Sequence, residues 1–187
     1  DRSSAASDVY KRQYMNIYIN EESILHIETL IVGLPEHINQ LREIKYNNQS
    51  INEQLETLKQ HHIIGSSVGK ISSTMFYTNN QPKRLLTVGL GNLKDLSYQR
   101  LLKVWGHTFQ FLKQEHINEA EVLLDTFISK YNDSIEVAKT FGLQSNQSIY
   151  QFDNYKSDKK APYQPNIYVQ TEFDKVNSCL LYTSDAA

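Results

Sequence analysis

A chain of 187 residues with 40% hydrophobic, 21% charged and 11% aromatic residues has the size and composition of one folded domain, which excludes a disordered protein. Its 19 Lys and Arg against 21 Asp and Glu give a formal charge of −2, so nucleic acid is an unlikely partner on electrostatic grounds. No apolar run approaches the roughly 18–20 residues of a membrane span, and no basic stretch leads into an apolar one, so we expect a cytoplasmic protein without a membrane partner.

The first predicted elements are two strands and a short helix. The alternating pattern over 16–19 and the β-branched run over 27–34 (IETLIVGL) predict strands that form an N-terminal hairpin or strand pair. Ser50 is predicted to cap a helix over 51–62, with Glu53 as its capping-box partner.

The middle of the chain predicts a strand pair, the clearest helix and a buried strand. Segments 70–78 and 83–90 are predicted strands joined across a turn at 79–82. The second of them is almost continuously apolar, which is typical of a strand inside a sheet that helices cover on both faces. An apolar stripe over 97–115 predicts a long helix, and the run EVLLDTFI over 121–128 predicts a strand.

The last predicted elements complete an alternating order. Asn132 or Ser134 is expected to cap a helix that extends to about Gln144, with Gly142 near its end. Segment 157–165 is charged and rich in proline, which indicates an exposed connection, and 166–173 predicts a strand that belongs with whatever follows. This order predicts an α/β fold, a three-layer α/β/α sandwich with a mixed, mainly parallel sheet. The expected core residues are Leu30, Val32, Leu85, Leu86, Val88, Leu101, Leu102, Trp105, Phe109, Leu123 and Phe127.

The two ends of the chain differ from this patterned middle. Residues 1–14 and 179–187 have no sustained period, whereas Met15 opens the patterned sequence. The strings SDVYKRQ and CLLYTSDAA resemble translated sequencing-adapter read-through, so we expect non-native or disordered tails that make no essential packing contacts. The native segment is then 15–178, a fragment of a protein that continues past Ser178. The single cysteine, Cys179, lies in the second tail, which excludes a disulfide or a cysteine zinc site in the native segment.

One glycine-rich strand end could hold a phosphate. Val88-Gly89-Leu90-Gly91 precedes a predicted helix, where a dinucleotide-binding loop would lie. The third glycine of G-x-G-x-x-G would fall on Lys94, however, and this favours a plain strand-to-helix turn over a phosphate cradle.

No pattern of catalytic or metal-binding residues accompanies that turn. The six histidines occur outside the H-x-x-x-H and H-E-x-x-H spacings, and no serine lies in G-x-S-x-G. The acids are scattered along predicted solvent-facing helix surfaces. We therefore predict no catalytic, cofactor-binding or metal-ligating residue in this chain.

Three segments resemble the N-terminal domain of the leucyl (cytosol) aminopeptidase family. They are GKISSTMFY at 69–77, KRLLTVGLGN at 83–92 and IYQFDNYKS at 149–157, which occur in the family's order. The resemblance covers about 27–173. It implies a macro-domain-like fold over 15–160, with 161–178 forming the linker and first strand of a missing catalytic domain.

That missing domain would hold the chemistry. The family resemblance implies two divalent metals, zinc or manganese, bound by acids and a lysine that include an N-T-D-A-E-G-R motif with no counterpart in this chain. The fragment alone is therefore expected to be inactive. The implied partners are its own catalytic domain, sister subunits in a hexamer, and the peptide substrates of the parent enzyme.

A binding module is the competing hypothesis. A stand-alone macro-like domain would bind ADP-ribose or another nucleotide, and only an analogy of fold favours it. Glycine-rich phosphate loops would distinguish the two, and the seven glycines of this chain are dispersed.

Overall fold

The computed structural model describes residues 8–11, 15–22, 24–154, 163–176 and 179–180. Its helices are α1 (Asn52–Gln60), α2 (Tyr98–Gln114) and α3 (Ser134–Asn154). Its strands are β1 (Asp8–Lys11), β2 (Asn16–Ile19), β3 (Thr29–Pro35), β4 (Lys45–Tyr46), β5 (Gln49–Ser50), β6 (Ile71–Thr78), β7 (Gln81–Gly91), β8 (Glu119–Leu123) and β9 (Asn166–Gln170). Short 3-10 helices cover Ile38–Gln40, Leu93–Asp95 and Leu124–Phe127.

Seven strands form one mixed sheet, in the order β1-β2-β9-β8-β3-β7-β6. The strands from β2 to β7 in that order pair in parallel, and β1 and β6 run antiparallel at the two ends. β4 and β5 form a separate small hairpin. The mixed, mainly parallel sheet predicted from the order of elements is confirmed.

Helices cover both faces of the sheet, because its central strands are apolar on both sides. On one face, α2 and α3 enclose a cluster of rings in which Trp105 lies 4.3 Å from Phe127 and 5.0 Å from Phe141, centroid to centroid. On the other face, Leu55 of α1 packs in a second buried cluster with Leu30 of β3. The expected three-layer sandwich is present.

The expected core residues occupy this interior with two exceptions. Leu30, Val32, Leu85, Leu86, Val88, Leu101, Trp105, Phe109 and Phe127 are buried. Leu102 and Leu123 are only half-buried. Leu102 lies at the margin of the apolar stripe of α2, whose buried residues include Leu101 and Trp105.

The predicted N-terminal hairpin is wrong. β2 pairs in parallel with β9, and both β9 and β8 lie between β2 and β3. The side chains of Asn16 and Asn166 join the two strands by a hydrogen bond of 3.0 Å. The segment 166–173 was expected to belong with a following domain, yet β9 is an interior strand of this sheet, where Ile167 and Val169 are buried.

The predicted cap of α1 is also wrong. Ser50 belongs to β5, opposite Lys45, and Ile51 takes the N-cap position without a side-chain hydrogen bond. Ser50 is part of the β4–β5 hairpin and therefore does not cap the helix. The oxygen of the Asn52 side chain accepts a hydrogen bond of 2.8 Å from the amide of Ile44. The side chain of Asn52, the first residue of α1, therefore stabilises the hairpin.

The predicted strand 121–128 ends early. β8 stops at Leu123, and Leu124–Phe127 form a 3-10 helix. The hydroxyl of Thr126 accepts a hydrogen bond of 2.8 Å from the amide of Gly33 and donates one of 2.7 Å to the carbonyl of Leu123. The chain turns there because Phe127 enters the core between the sheet and α2.

The third helix is longer than predicted. α3 begins at Ser134 and continues past Gln144 to Asn154. Its cap is neither of the two expected residues, because the side chain of Asp133 accepts a hydrogen bond of 2.8 Å from the amide of Glu136. Gly142 is buried within the helix, where packing outweighs its low helix propensity. Of the expected connection over 157–165, residues 157–162 lie outside the described residues.

Both tails include residues that pair or pack. Asp8–Lys11 pair with β2 along the strand, and Leu180 is fully buried with Val176 in the cluster beneath α2. The expectation that the tails make no packing contacts is wrong at these positions. Residues 1–7, 12–14 and 181–187 lie outside the described residues. Across the part of the chain that is described, every helix falls short of the length and apolarity needed to cross a membrane.

Candidate functional site

The glycine-rich end of β7 is covered by the chain itself. The amide of Gly89 donates a hydrogen bond of 2.8 Å to the carbonyl of Lys70, and the amide of Gly91 donates one of 2.7 Å to the carbonyl of Ser66. A phosphate cradle needs such amides to be free. This strand end is therefore a turn sealed by the loop that precedes β6.

Close approach explains the glycines of that turn. A Cβ atom at position 89 would lie 1.9 Å from the carbonyl oxygen of Ser67. Gly91 has a φ of +66°, which glycine adopts without strain. Lys94, at the place of a third motif glycine, lies in the 3-10 helix Leu93–Asp95, and its amide donates a hydrogen bond of 3.1 Å to the side chain of Asn92. Gly89, Gly91 and Lys94 therefore determine how the backbone turns at the end of β7.

A cleft of about 340 Å³ lies outside the carboxyl ends of β8 and β9. Crevices at this edge of a parallel sheet are the usual ligand sites of α/β folds. Polar lining residues come from four parts of the chain: Asn20, Arg42, Glu43, Lys45, Asp125, Thr126, Gln170, Thr171 and Glu172. The cleft is the best-placed binding cavity among the described residues.

Several of its polar groups already have partners. The carboxylate of Asp125 accepts hydrogen bonds from the hydroxyl of Thr171 at 2.6 Å and from the amide of Glu172 at 2.9 Å. The amide of Thr171 donates to the side-chain oxygen of Asn20 at 2.9 Å. This network fixes the chain that leaves β9, so Asp125 is a structural carboxylate.

The cations of the cleft are placed at its rim. The guanidinium carbon of Arg42 lies 5.2 Å from the ring centroid of Phe173, in a cation–π contact. Lys45 lies 4.0 Å from the carboxylate of Glu43, and both side chains are exposed. Two cations facing several carboxylates do not make a field that selects a polyanion.

A second polar cluster is buried under the β4–β5 hairpin. The hydroxyl of Tyr46 donates a hydrogen bond of 2.9 Å to the carboxylate of Glu121, which is 3% exposed. The ammonium of Lys83, which is 6% exposed, donates to the carbonyls of Ile27 and, at 3.3 Å, of Leu25. The same ammonium lies 5.3 Å from the centroid of the Tyr46 ring. An acid, a phenol and an ammonium thus share one buried region.

Burial governs the protonation of this cluster. It raises the pKa of the Glu121 carboxyl, an effect that the hydrogen bond from Tyr46 and the charge of Lys83 oppose. It lowers the pKa of the Lys83 ammonium, against the attraction of Glu121 and Glu28. Burial and the neighbouring Glu121 also raise the pKa of Tyr46. The three side chains are buried and hydrogen-bonded within the protein, so the geometry is that of a structural network.

Sequence reasoning missed this cluster. Its members lie far apart in the chain, on β4, β7 and β8, and only the packing of the β4–β5 hairpin against the sheet brings them together. A weak signal was available, because Glu121 is the first residue of an apolar run that predicts a buried strand. Such an acid in a buried strand requires a partner.

The residues that could hold a metal are dispersed. All six histidines are exposed: His26, His37, His61, His62, His107 and His116. Nδ1 of His107 lies 2.9 Å from the carbonyl oxygen of Gly69, in a contact with the backbone. In the described ranges, no three His, Cys, Asp or Glu side chains converge as ligands of an ion. The sequence-based expectation places the two divalent metals in the missing catalytic domain, and the described residues offer no ligand set for such a pair.

A protein-family model matches most of the chain. It describes the N-terminal domain of the cytosol aminopeptidase family and matches residues 31–159. The matched region begins within β3 and includes the sealed strand end of β7, α2 and α3.

Solved structures share the fold at low sequence identity. A macrodomain from Oceanobacillus iheyensis with MES bound is 9% identical, with a TM-score of 0.63 over 97% of this chain and 96% of its own. A variant of tomato leucine aminopeptidase is 12% identical, with a TM-score of 0.55 over 95% of this chain and 37% of its own. The bottromycin maturation enzyme BotP is 12% identical, with a TM-score of 0.56 over 85% of this chain and 30% of its own.

These matches confirm the macro-domain-like fold. They also show that the chain spans about a third of the length of the two enzymes, and nearly all of the macrodomain.

Proposed function

Because this chain belongs to the cytosol aminopeptidase family, in which it matches the N-terminal domain, we propose that it is the non-catalytic domain of a metal-dependent leucyl aminopeptidase. The parent enzyme would release N-terminal amino acids from peptides in the cytoplasm. The observation that carries this proposal is the match over residues 31–159, which spans the central strands and the helices on both sides of them.

The role proposed for the domain is packing. Its partners would be its own catalytic domain and sister subunits of a homo-oligomer, a hexamer in the full protein. The described residues support a role without chemistry, since their buried acid, Glu121, is bonded to Tyr46 and Asp125 holds the chain after β9. Two zinc or manganese ions would be bound by the catalytic domain, and no step of metal chemistry is assigned to this chain.

Activity measurements test the proposal directly. The chain alone should hydrolyse no leucine amide with Zn²⁺ or Mn²⁺ present, and calorimetry should detect no stoichiometric uptake of either ion. Mixed with the separately produced catalytic domain of a cytosol aminopeptidase, it should co-elute with that domain in size-exclusion chromatography. Turnover by the chain alone that a chelator abolishes would overturn the non-catalytic role, and failure to bind any catalytic domain of the family would overturn the packing role.

The cleft outside β8 and β9 favours a second candidate function. A module that binds ADP-ribose or another nucleotide would use this edge of the sheet. Against it, the amides of Gly89 and Gly91 are already bonded and the rim carries mixed charge. Calorimetric titration with ADP-ribose distinguishes the two: we expect no heat of binding, whereas binding that Arg42→Ala abolishes would establish the nucleotide module.

A further inference from the structure

The seven-stranded sheet ends in an open edge at β6. β6 pairs with β7 on one side, and none of the described strands lies on its other side. An unpaired edge presents a row of backbone donors and acceptors that can pair with another chain. β6 is one of the longest strands of the sheet, with eight residues.

The turn that joins β6 to β7 determines which groups face outward. Asn79 and Asn80 have φ values of +50° and +61°, and Thr78 is directly opposite Gln81, as in a two-residue hairpin. Thr78 and Gln81 are therefore a hydrogen-bonded pair, and bonded pairs recur at every second residue. The hydrogen bond from the amide of Gly89 to the carbonyl of Lys70 fits this alternation, because counting back from Thr78 by every second residue reaches Lys70.

The alternate residues of β6 consequently direct their backbone groups away from β7. They are Ile71, Ser73, Met75 and Tyr77. Pro82, which has no backbone N–H, lies opposite Tyr77. Its position agrees with a pair in which β6 and β7 exchange no hydrogen bond. The open edge therefore presents the amides and carbonyls of these four residues.

The usual protection of an edge strand is missing here. Residues 71–78 (ISSTMFYT) contain no charge and no proline, and their pairing with β7 has no bulge. Natural edges are commonly blunted by such charges, prolines or bulges. Two large apolar side chains on the edge are exposed instead, Met75 at 53% and Tyr77 at 64%.

We propose that β6 pairs antiparallel with β6 of a second copy of this chain, across a two-fold axis at Thr74. In this register Ser73 lies opposite the partner's Met75, and Ile71 lies opposite the partner's Tyr77, so all outward-facing backbone groups find partners. The two sheets become one continuous sheet. The contact rests on the sheet edge alone and does not depend on the aminopeptidase assignment.

The absence of charged residues in β6 favours a second copy of this chain as its partner. A two-fold axis places each strand against itself, so a charged edge would bring like charges together, whereas 71–78 has none to repel. A strand without charge also has no means of attracting a charged peptide. Because a paired edge buries less surface than a standard interface, the dissociation constant should be in the micromolar range.

Sedimentation and amide exchange test this pairing together. Across a concentration series of about 1 to 200 µM, the full chain should shift from monomer to dimer by analytical ultracentrifugation. Over the same series, exchange of the amides of Ile71, Ser73, Met75 and Tyr77, followed by nuclear magnetic resonance, should slow as the dimer forms. Amides of Ser72, Thr74 and Phe76 face β7 and should be protected at every concentration, which provides an internal control.

Two variants and a matched control locate the contact. Met75→Lys places a charge beside the two-fold axis, and Met75→Pro removes an outward amide that β7 does not use. Each should raise the dissociation constant roughly tenfold or more while the circular dichroism spectrum is retained. Leu143→Lys adds the same charge at an exposed apolar residue of α3, a helix that packs on α2, and it should dimerise like the parent chain.

Three results would overturn the proposal. They are a chain that stays monomeric throughout the series, a dimer that both Met75 variants leave intact, and a dimer in which the outward amides of β6 exchange as fast as in the monomer. If the edge binds a different protein or peptide in place of a second copy, the purified chain would stay monomeric throughout the series.

Discussion

At Glu121, a carboxyl group is buried within a parallel strand and receives its hydrogen bond from the hydroxyl of Tyr46. Burial in a medium of low polarity disfavours the charged form of an acid. The pKa of Glu121 is therefore raised above its ordinary 4.5, although Tyr46 and Lys83 partly offset the effect. This shift makes the stability of the fold depend on pH.

We predict that Glu121→Gln flattens part of that dependence. The unfolded chain releases this proton near pH 4.5, whereas the folded chain retains it to higher pH. Between the two pKa values the folded state binds more protons, so its stability is complete below pH 4.5 and falls as pH rises through the folded pKa. Urea midpoints measured from about pH 4 to pH 8 should show this fall in the parent chain and a smaller one in the variant.

Glu36→Gln is the control for the loss of one negative charge, because Glu36 is exposed. Identical pH profiles for the parent chain and Glu121→Gln would contradict the assignment of the titration to Glu121.

The glycine at position 89 gives a second prediction at this scale. Gly89→Ala should lower the free energy of unfolding by about 1–3 kcal/mol, because its Cβ would lie 1.9 Å from the backbone oxygen of Ser67. Gly65→Ala is a matched control in the same loop, where the new Cβ meets only the flexible end of the Lys70 side chain. It should change stability by less than about 0.5 kcal/mol in urea denaturation. Equal effects of the two variants would show that the loop moves away from position 89.

At the scale of elements, predictability depended on how local the information is. Helix 97–115 was predicted almost to the residue, because Ser97 caps it, accepting a hydrogen bond from the amide of Arg100, and its apolar stripe lies within one segment. Strand 121–128 was predicted too long, because an apolar run is buried equally well as a strand or as a 3-10 turn. The bond between Gly33 and Thr126, which favours the turn, joins residues 93 positions apart.

The same reasoning applies to the candidate sites. Lys94 at the place of a third glycine was enough to favour a plain turn at the end of β7, and this information is local. The cluster of Tyr46, Lys83 and Glu121 depends on the order of strands, which no local pattern contains. The pairing of β2 with β9 escaped prediction for that reason too.

A central strand should be sensitive to truncation. Leu86 of β7 is 1% exposed and packs in the cluster beneath α2, so Leu86→Ala should lower the free energy of unfolding by about 2–5 kcal/mol. Leu143→Ala removes the same atoms from a partly exposed position on α3 and should change it by less than about 0.5 kcal/mol. Guanidinium denaturation measures both. A loss under half a kilocalorie at Leu86 would place the strand outside the core.

At the scale of the whole molecule, the core extends to both ends of the described chain. Leu180 is fully buried in the cluster that also contains Met15 and Trp105. Leu180→Ala should therefore lower the free energy of unfolding by about 2 kcal/mol or more, measured by urea denaturation. Leu25→Ala, at an exposed leucine, is the control. An unchanged stability for Leu180→Ala would restore the expectation that residues 179–187 contribute nothing to the fold.

The interior position of β9 sets an order of events during synthesis. β2 cannot join the sheet until β9 has left the ribosome, about 150 residues later, because β9 separates it from β8. At roughly 5–20 residues per second, this leaves β2 without β9 for about 8 to 30 s. Strands β3, β6, β7 and β8 can assemble with α2 in that time. Pulse-labelled hydrogen exchange on nascent chains should therefore find the amides of β2 protected last, although they are made before those of β3, β6, β7 and β8.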